Sequence, residues 1–572
     1  MPRPLSAQRL NLIAATVGLF SAVIGLGLLA LIHGITNLSF HGEISFNERN
    51  ADFTTWGVLA IFLPAVGGLI IGLIARFGSP AIAGHGIPEA MQGVIQNRSR
   101  IPLKVAILKP LSSAISIGTG GPFGAEGPVI ATGGAIGSLF GQWFPVKAVE
   151  RKILLSAGAA AGMTAVFGTP LAGVLLAVEL LLFEFRWRSL MPVAIAVGVA
   201  MAFRGVTDEP FPMLPLPSPE APGPLIAIGA IVVGIFSGVF SVGMTHALHR
   251  IEDGFEKIPF PKMWFPMLGG LGVGLIAYLD PRILGPGYFN LRDLLGGEMT
   301  LAAVFSLLVF KFFAWAISLG SGTAGGTLAP VMTMGGSIGV IVALGLRLLP
   351  GFGDFPIGIA ALIGMAAVFA GASRAFLTSV AFSFEATHSS AAFGPLLLGC
   401  AMAVLVSRWL MKESIMTEKL SRAGVRVPSD YAPDVLAGQI VGNVMLNEVL
   451  TVPPGMSLQA LLHKVNGDLS PWNRARLFPI VNEQGILCGV VSRADILAAA
   501  RHPLKNALTV LEVGTEEVYS VSPTDTLAEA ANLMILHEVG RMPVVADREN
   551  PVFLGLITRR EILAAHGVDT EE

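Results

Sequence analysis

The chain has 572 residues, of which 53% are hydrophobic and only 13% are charged. Its mean hydropathy of +0.69 is typical of a protein that crosses a membrane many times, which excludes an ordinary soluble fold for most of the chain. The net charge of −2 gives no reason to expect a nucleic-acid partner. The two cysteines, Cys400 and Cys488, lie far apart and argue against a disulfide framework.

The first apolar run follows Arg3 and Arg9 and is longer than the core of a signal peptide. It lacks a convincing cleavage site, so we interpret it as a first membrane helix with its basic end inside. Further apolar segments follow at 57–76, 104–117, 153–183, 190–203, 224–245, 264–279, 301–319, 329–349, 356–371, 375–384 and 393–411. Several are shorter than the ~20 residues that a membrane-spanning helix needs. Short helices broken by Gly or Pro are expected to pack around a polar cavity, because lipid cannot satisfy their open backbone.

Two stretches of the apolar region, Ser116–Gly137 and Ser318–Gly339, repeat each other at an offset of 202 residues with ten of 22 positions identical. Each has a Gly-rich turn, a proline expected at the first helical position (Pro128, Pro330) and then an apolar helix. The core of the motif occurs a third time at Gly84–Pro88. The repeats predict two similar halves whose helix N-termini, with their unpaired N–H groups, favour an anion near the membrane midplane.

The two repeats differ at one charged position. Glu126 in the first copy aligns with Leu328 in the second, and it is the one charged residue in either window. Ionisable residues inside a membrane are costly and usually functional. We therefore expect the mechanism to centre on Glu126.

The C-terminal part of the chain is much more polar than the rest. Residues 412–572 contain 34 of the 76 Lys, Arg, Asp and Glu residues, which predicts a soluble domain after Met411. Its pattern is a helix, two strands and a helix, occurring twice, with strands expected at 477–481, 486–492, 541–545 and 553–558. Two such units in tandem predict a pair of small α/β modules packed on each other.

Five longer motifs identify a family that the chain resembles. They are GHGIPE (Gly84–Glu89), GAEGP (Gly124–Pro128), PLAGVLLAVE (Pro170–Glu179), GGTLAP (Gly325–Pro330) and SIMTEKL (Ser414–Leu420). In this order they resemble the CLC family of chloride channels and chloride/proton antiporters, here with a C-terminal pair of CBS domains. The resemblance implies an all-α polytopic membrane domain of two inverted-topology repeats, followed by an α/β tandem CBS domain in the cytoplasm.

The resemblance also sets expectations for organisation. It implies a transmembrane anion-transport domain at 1–424, a linker and first CBS domain at 425–505, and a second CBS domain at 506–572. Members of the family are homodimers with one anion path per subunit. We expect a multi-pass protein of the inner or plasma membrane with both termini cytoplasmic, and we expect chloride or other small anions and the lipid bilayer as its partners.

Carried onto this chain, the family pattern makes Glu126 the gating glutamate. A carboxylate at a helix N-terminus occupies the place of an anion, and protonation would release it. The implied anion contacts, many of them backbone N–H groups, are at Gly84, His85, Gly86, Ile87, Ala125, Glu126, Gly127, Gly326, Thr327, Leu328 and Met416.

Three positions depart from the family pattern. His85 replaces a common serine; a neutral imidazole can donate one N–H to an anion, or the ring could point away and satisfy a backbone carbonyl. Leu180, directly after Glu179, occupies the position of the proton-carrying glutamate of coupled members, and leucine cannot carry a proton. Met416 occupies the position of an inner tyrosine, and a thioether cannot donate the hydrogen bond of a phenol.

The CBS pair resembles modules that sense adenosine nucleotides. By that resemblance Ser492 and Asp495 in the first unit, and Thr558 and Glu561 in the second, would lie near a ribose. No cofactor is expected to be required, and ATP, ADP or AMP is the candidate ligand. Many CBS pairs bind no ligand and serve in assembly, so this alternative stays open.

The departures favour an anion path that is channel-like or weakly coupled to protons, with a chloride/proton antiporter using a non-standard proton path as the alternative. A divalent-cation transporter with CBS domains would need clustered carboxylates in its spans, whereas here helix N-termini converge on one acid. An enzyme is not expected, because the apolar segments contain no Ser/His, HExxH or paired-Asp pattern. No metal site is expected either.

Overall fold

The structure is a computed structural model, and it describes residues 5–82, 84–95, 97–207, 211–216, 223–422, 436, 439–467, 471–501, 507–547 and 549–567. The chain divides into two compact units, 1–430 and 431–572.

The described residues of the first unit form helices joined by turns and loops. Its helices are α1 (Ala7–Thr36), α2 (Leu63–Leu73), α3 (Ile87–Ile95), α4 (Leu103–Gly118), α5 (Glu126–Trp143), α6 (Ala148–Phe167), α7 (Pro170–Leu176), α8 (Trp187–Arg204), α9 (Pro224–Glu256), α10 (Phe265–Leu279), α11 (Tyr288–Gly296), α12 (Leu301–Gly320), α13 (Leu328–Leu346), α14 (Ile357–Ser373), α15 (Phe376–Thr387), α16 (Phe393–Leu410) and α17 (Glu418–Arg422). A π-helical stretch at Ala177–Leu182 continues α7.

The helices repeat in two halves, as the glycine motifs predict. Helices α1–α8 and α9–α16 follow each other in the same order of long and short elements. Leu63 begins α2 and Phe265 begins α10, while Glu126 begins α5 and Leu328 begins α13, so both pairs are 202 residues apart. The prediction of an all-α domain made of two repeats is confirmed.

The first unit is an integral membrane domain with many membrane-spanning helices. Within the described ranges, eight helices are long and apolar enough to cross a bilayer. Glycines let the inner helices cross backbone to backbone: a Cβ on Gly133 would lie 2.1 Å from the carbonyl oxygen of Gly158, and one on Gly335 would lie 2.4 Å from that of Gly364. The same contact therefore joins α5 to α6 in one half and α13 to α14 in the other.

Two glutamates tie α7 and α15 together at both ends. Glu179 accepts hydrogen bonds from the backbone N–H groups of Leu377 (2.9 Å) and Thr378 (2.8 Å), at the start of α15. Glu385, near the end of α15, accepts from the N–H groups of Leu171 and Ala172 (both 2.9 Å), at the start of α7. Each helix thus receives its N-terminal cap from the other, which requires the two to run antiparallel.

The second unit contains two small α/β modules. Its helices are α18 (Leu458–Asn466), α19 (Arg493–Ala499), α20 (Val510–Val513), α21 (Leu527–Leu536) and α22 (Arg559–Gly567). Its strands are β1 (Leu477–Val481), β2 (Leu487–Ser492), β3 (Arg541–Val545) and β4 (Phe553–Thr558), with β1 antiparallel to β2 and β3 antiparallel to β4.

Each module has its own apolar core. One core includes Val452, Phe478 and Ile496; the other includes Met542 and also Val441, which precedes the first module in the sequence. The two α/β modules are confirmed. The boundary expected between residues 505 and 506 stays a prediction.

Candidate anion site

Three glycine-rich loops of the membrane unit meet in its interior. Gly124 and Gly326 exchange two backbone hydrogen bonds of 3.0 Å, and the N–H of Gly325 donates to the carbonyl oxygen of Gly84 at 3.4 Å. Gly124 and Gly326 belong to the two halves of the repeat, so the halves join at this point. The three copies of the motif found in the sequence therefore form one site.

Each loop leads directly into a helix. Helix α3 begins at Ile87, α5 at Glu126 and α13 at Leu328. The prediction that Pro128 and Pro330 are first helical residues is wrong, because each is the third. A proline fits there at little cost, since the first N–H groups of a helix have no intrahelical acceptor. The open N–H groups and positive dipole ends of three helices are thus directed to one region.

Glycine is required where these loops touch. Gly84 and Gly86 have φ of +104° and +95°, a region that side chains disfavour. A Cβ on Gly86 would lie 2.4 Å from the carbonyl oxygen of Gly127, and one on Gly127 would lie 2.1 Å from that of His85. The loop at 84–86 therefore packs on the first turn of α5 without intervening side chains.

The carboxylate of Glu126 is held at this meeting point. Glu126 is 1% exposed, and its Oε1 accepts a hydrogen bond of 3.1 Å from the hydroxyl of Tyr288. Its Oε2 has no hydrogen-bond partner, and a Cβ built on Gly124 would lie 1.8 Å from this oxygen. The same Cβ would lie 2.8 Å from Cβ of Ala329, in the first turn of α13. The carboxylate therefore lies between the N-termini of α5 and α13.

His85, in the loop before α3, is buried, and its backbone carbonyl lies against Gly127. The residue is 2% exposed, and neither ring nitrogen has a hydrogen-bond partner. The alternative that the ring satisfies a backbone carbonyl is therefore not observed. Buried polar groups are usually paired, so an imidazole in this state has a free N–H to offer a ligand.

The remaining expected contacts are all buried in the same interior. Gly84, Gly86, Ile87, Ala125, Gly127, Gly326, Thr327 and Leu328 are buried, as is Met416. Met416 belongs to the same apolar cluster as Ile87 and Leu328 but lies in a turn before α17, not within a long helix. Leu180 is 5% exposed, on the π-helical stretch after α7, with no titratable atom of its own.

Helix α17, directly after Met416, is fixed to the C-terminal end of α9. Lys419 pairs with Glu252 at 3.0 Å, and Arg422 pairs with Asp253 at 2.7 Å. Helix α17 therefore lies on the face of the membrane unit where α9 ends. We refer to this face as the α17 face.

Two buried lysines at the site escaped the sequence analysis. Lys109 lies 3.6 Å from Glu89, which accepts a 2.6 Å hydrogen bond from the N–H of Gly86 and so caps α3. Lys311 is fully buried and donates to the carbonyl oxygens of Ile283 (2.9 Å) and Gly285 (2.8 Å). Positions 109 and 311 are 202 apart, so the repeat offset was the signal that could have found them.

Tyr288 also escaped the sequence analysis, although its hydroxyl contacts the carboxylate of Glu126. It lies 162 residues from Glu126. As the first residue of α11 it corresponds to Ile87, the first residue of α3, at an offset of 201 residues, and GPGY at 285–288 repeats the glycine spacing of GHGI at 84–87. The repeat could therefore have marked this position, although not its contact with Glu126.

The residues expected near a ribose in the CBS pair are engaged in helix caps. Ser492 and Asp495 cap α19, with the N–H of Ser492 donating to Asp495 at 2.9 Å and the N–H of Asp495 donating to the Ser492 hydroxyl at 3.2 Å. Thr558 hydrogen-bonds to Glu561 at the start of α22. Among the described residues, no group of three or more His, Cys, Asp or Glu could hold a metal ion.

Helix N-termini that converge on one buried carboxylate, inside a polytopic membrane domain, define an anion-transport protein. The chain belongs to the voltage gated chloride channel family, CLC, whose model matches residues 67–408. The CBS domain model matches residues 441–502 and 510–567.

Similar proteins agree with this placement. The chain is 28% identical over 426 residues to the H(+)/Cl(-) exchange transporter ClcA of Vibrio parahaemolyticus, covering 70% of this chain and 90% of that protein. A slow cyanobacterial Cl-/H+ antiporter superposes with a TM-score of 0.65 at 24% identity, covering 73% of this chain and 98% of that one. A eukaryotic CLC transporter covers 97% of this chain and 98% of its own, with a TM-score of 0.61 and 19% identity. The CLC fold expected from the motifs is confirmed.

Proposed function

We propose that this protein moves chloride or a similar small anion along one path per subunit, and that Glu126 is the gate. The observation that carries the proposal is the position of its carboxylate between the N-termini of α5 and α13. An anion favours the same position for the same reason, namely open N–H groups and the positive ends of helix dipoles. Carboxylate and anion therefore compete, and a neutral Glu126 leaves the position to the anion.

The proposed anion ligands are the imidazole of His85 and those backbone N–H groups of the three loops that have no acceptor within the protein. The N–H groups of Gly86, Ala125 and Gly326 already donate to Glu89, Tyr288 and Gly124. The unpaired ring nitrogens of His85 support a direct role, because one of them always carries a proton. Met416 contributes an apolar inner boundary that has no donor for an anion.

There are two candidate modes of transport, which differ in whether anion movement is coupled to proton movement. The first is uncoupled or weakly coupled transport, which the buried Leu180 at the position of the proton-carrying glutamate favours. The second is chloride/proton exchange along a non-standard path, which the similarity to ClcA, named as an exchange transporter, favours. The carboxylate of Glu126 serves as the outer proton site in the second case.

The test is the reversal potential of the purified protein in liposomes under crossed chloride and pH gradients. A reversal potential at the chloride equilibrium value, with no uphill proton movement, establishes the uncoupled candidate. Uphill proton movement driven by chloride at a fixed ratio establishes exchange and overturns the first candidate. Leu180→Glu is the matched variant: under the first candidate it adds proton movement, and under the second it leaves the ratio unchanged.

The protein is further proposed to be a homodimer with both termini in the cytoplasm and the CBS pair on that side. An adenine nucleotide is the proposed ligand of the pair, near Ser492 and Asp495 and near Thr558 and Glu561. Calorimetry of the full-length protein with ATP, ADP and AMP tests this, with Asp495→Ala as the control. Absence of heat with all three nucleotides contradicts it and leaves the pair as an assembly module.

A further inference from the structure

The hydroxyl of Tyr288 contacts both the gate and the helix that carries it. It donates to Oε1 of Glu126 at 3.1 Å and accepts from the backbone N–H of Ala125 at 3.3 Å. The side chain is 5% exposed, and its ring meets that of Phe167 edge-on at 6.2 Å. The hydroxyl therefore reaches the N-terminus of α5 from a buried, well-packed ring.

The backbone before Tyr288 is fixed by a buried cation. Lys311 holds the carbonyl oxygens of Ile283 and Gly285, as described above. Gly287, with φ of +79°, turns the chain into α11, and a Cβ there would lie 3.3 Å from Nζ of Lys311. The first residue of α11 therefore has little freedom to move away from Glu126.

A second set of contacts braces the same segment. The side-chain amide of Asn290 donates to the carbonyl oxygen of Arg282 at 2.7 Å, and Arg282 donates to Asp280 at 2.7 Å and to Ser306 at 2.9 Å. Burial disfavours the ionised form of Asp280, but the hydrogen bonds from Arg282 and Ser306 outweigh it and hold the pKa of this carboxyl below its usual value. Tyr288 is thus presented by a rigid loop.

Tyr288 also separates Glu126 from an outer cavity of about 260 Å³. The cavity lies where α8 ends, which is the face opposite the α17 face, because α9 crosses the membrane between them. Its charged and titratable lining residues besides Tyr288 are His33, Glu48, Arg204 and Arg292. An anion arriving from this side meets the phenol before it meets the gate.

We propose that the Tyr288 hydroxyl is a ligand of the transported anion at the outer end of the path, and that it holds the Glu126 carboxylate in the same place when the path is closed. A phenol has one proton and can donate it to one acceptor at a time, so carboxylate and anion exclude each other. The inner end has Met416 where the family pattern has a phenol, and the chain places a phenol at the outer end instead. The proposal rests on the gating role of Glu126.

The test uses Tyr288→Phe, which keeps the ring packed on Phe167 and removes only the hydroxyl. Tyr278→Phe, the same change at a half-exposed position on α10, is the control. In a Glu126→Gln background, Tyr288→Phe should weaken chloride binding about 10-fold, the usual effect of losing one hydrogen bond to a charged group. With Glu126 intact, it should raise chloride flux at neutral pH and shift the pH of half-maximal flux upward by about one unit.

The other ionisable groups of this region are Lys311 on α12, His85 on the loop before α3 and the residues that line the outer cavity, and the comparison of the two variants separates Tyr288 from them. Tyr278→Phe leaves all of them in place, and so does Tyr288→Phe. A chloride affinity and a pH profile of Tyr288→Phe equal to those of Tyr278→Phe overturn the inference. If Glu126→Gln alone keeps the wild-type pH dependence, the gating proposal fails, whereas the affinity measurement still reports on Tyr288 separately.

Discussion

The contribution of the reciprocal caps of α7 and α15 to stability can be tested by removing one of them. Glu179 accepts from two backbone N–H groups and from the Thr378 hydroxyl (2.6 Å), and Glu385 accepts from two N–H groups. Leu377 is exposed but Thr378 is fully buried, and leaving a buried donor unpaired costs about 1–3 kcal/mol. Glu179→Ala should therefore destabilise the protein by about 1–3 kcal/mol.

The variants Glu179→Gln and Glu179→Ala should destabilise the protein to different extents. Glutamine keeps one acceptor oxygen, so its destabilisation should be about half that of alanine. Glu43→Ala is the control, because this carboxylate pairs with Arg49 at an exposed position, where ion pairs contribute about 0–1 kcal/mol. The assay is the temperature at which detergent-solubilised protein loses its monodisperse elution peak. A midpoint for Glu179→Ala no lower than that for Glu43→Ala refutes the role of the caps.

Two further predictions concern the loops. Gly326→Ala should abolish folded protein, since its Cβ would lie 2.4 Å from the carbonyl oxygen of Gly124, whereas Gly345→Ala, with nothing within 4 Å, should fold normally; comparable monodisperse yields would contradict this. His85→Ala should weaken chloride binding about 10-fold through loss of one donor to the anion, as measured by calorimetry, and an unchanged affinity would remove His85 from the site.

The sequence predicted the halves and the loops because the glycines are required by backbone contact. A Cβ on Gly326 would lie 2.4 Å from the carbonyl oxygen of Gly124, and one on Gly124 would lie 1.8 Å from Oε2 of Glu126, so both copies of the repeat have glycine at this position. The helix starts were misplaced by two residues at Pro128 and Pro330, because proline is tolerated anywhere in the first turn. The strands of the CBS modules were predicted almost to the residue, since each is short, apolar and bounded by turns.

The side chains that complete the site could not be predicted in the same way. Tyr288 reaches Glu126 across 162 residues, and although GPGY at 285–288 repeats the glycine spacing of GHGI at 84–87, the second copy of that pattern does not require a hydroxyl. Glu385 caps α7 from more than 200 residues away, so only the three-dimensional pairing of α7 with α15 reveals its role. Lys311 is different, because the repeat offset from Lys109 marks it and the apolar context of α12 makes a lysine conspicuous.

We propose that Glu126 blocks the anion path with its own charge, and chloride efflux from liposomes is the measurement that tests this gate. Efflux is measured for the wild type and Glu126→Gln between about pH 4.5 and pH 7.5, with Glu43→Gln as the exposed control. We expect wild-type and control efflux to rise as the pH falls, and efflux through Glu126→Gln to be fast and independent of pH, because an uncharged side chain no longer competes for the helix N-termini. If efflux through Glu126→Gln keeps the wild-type pH dependence, Glu126 is not the gate.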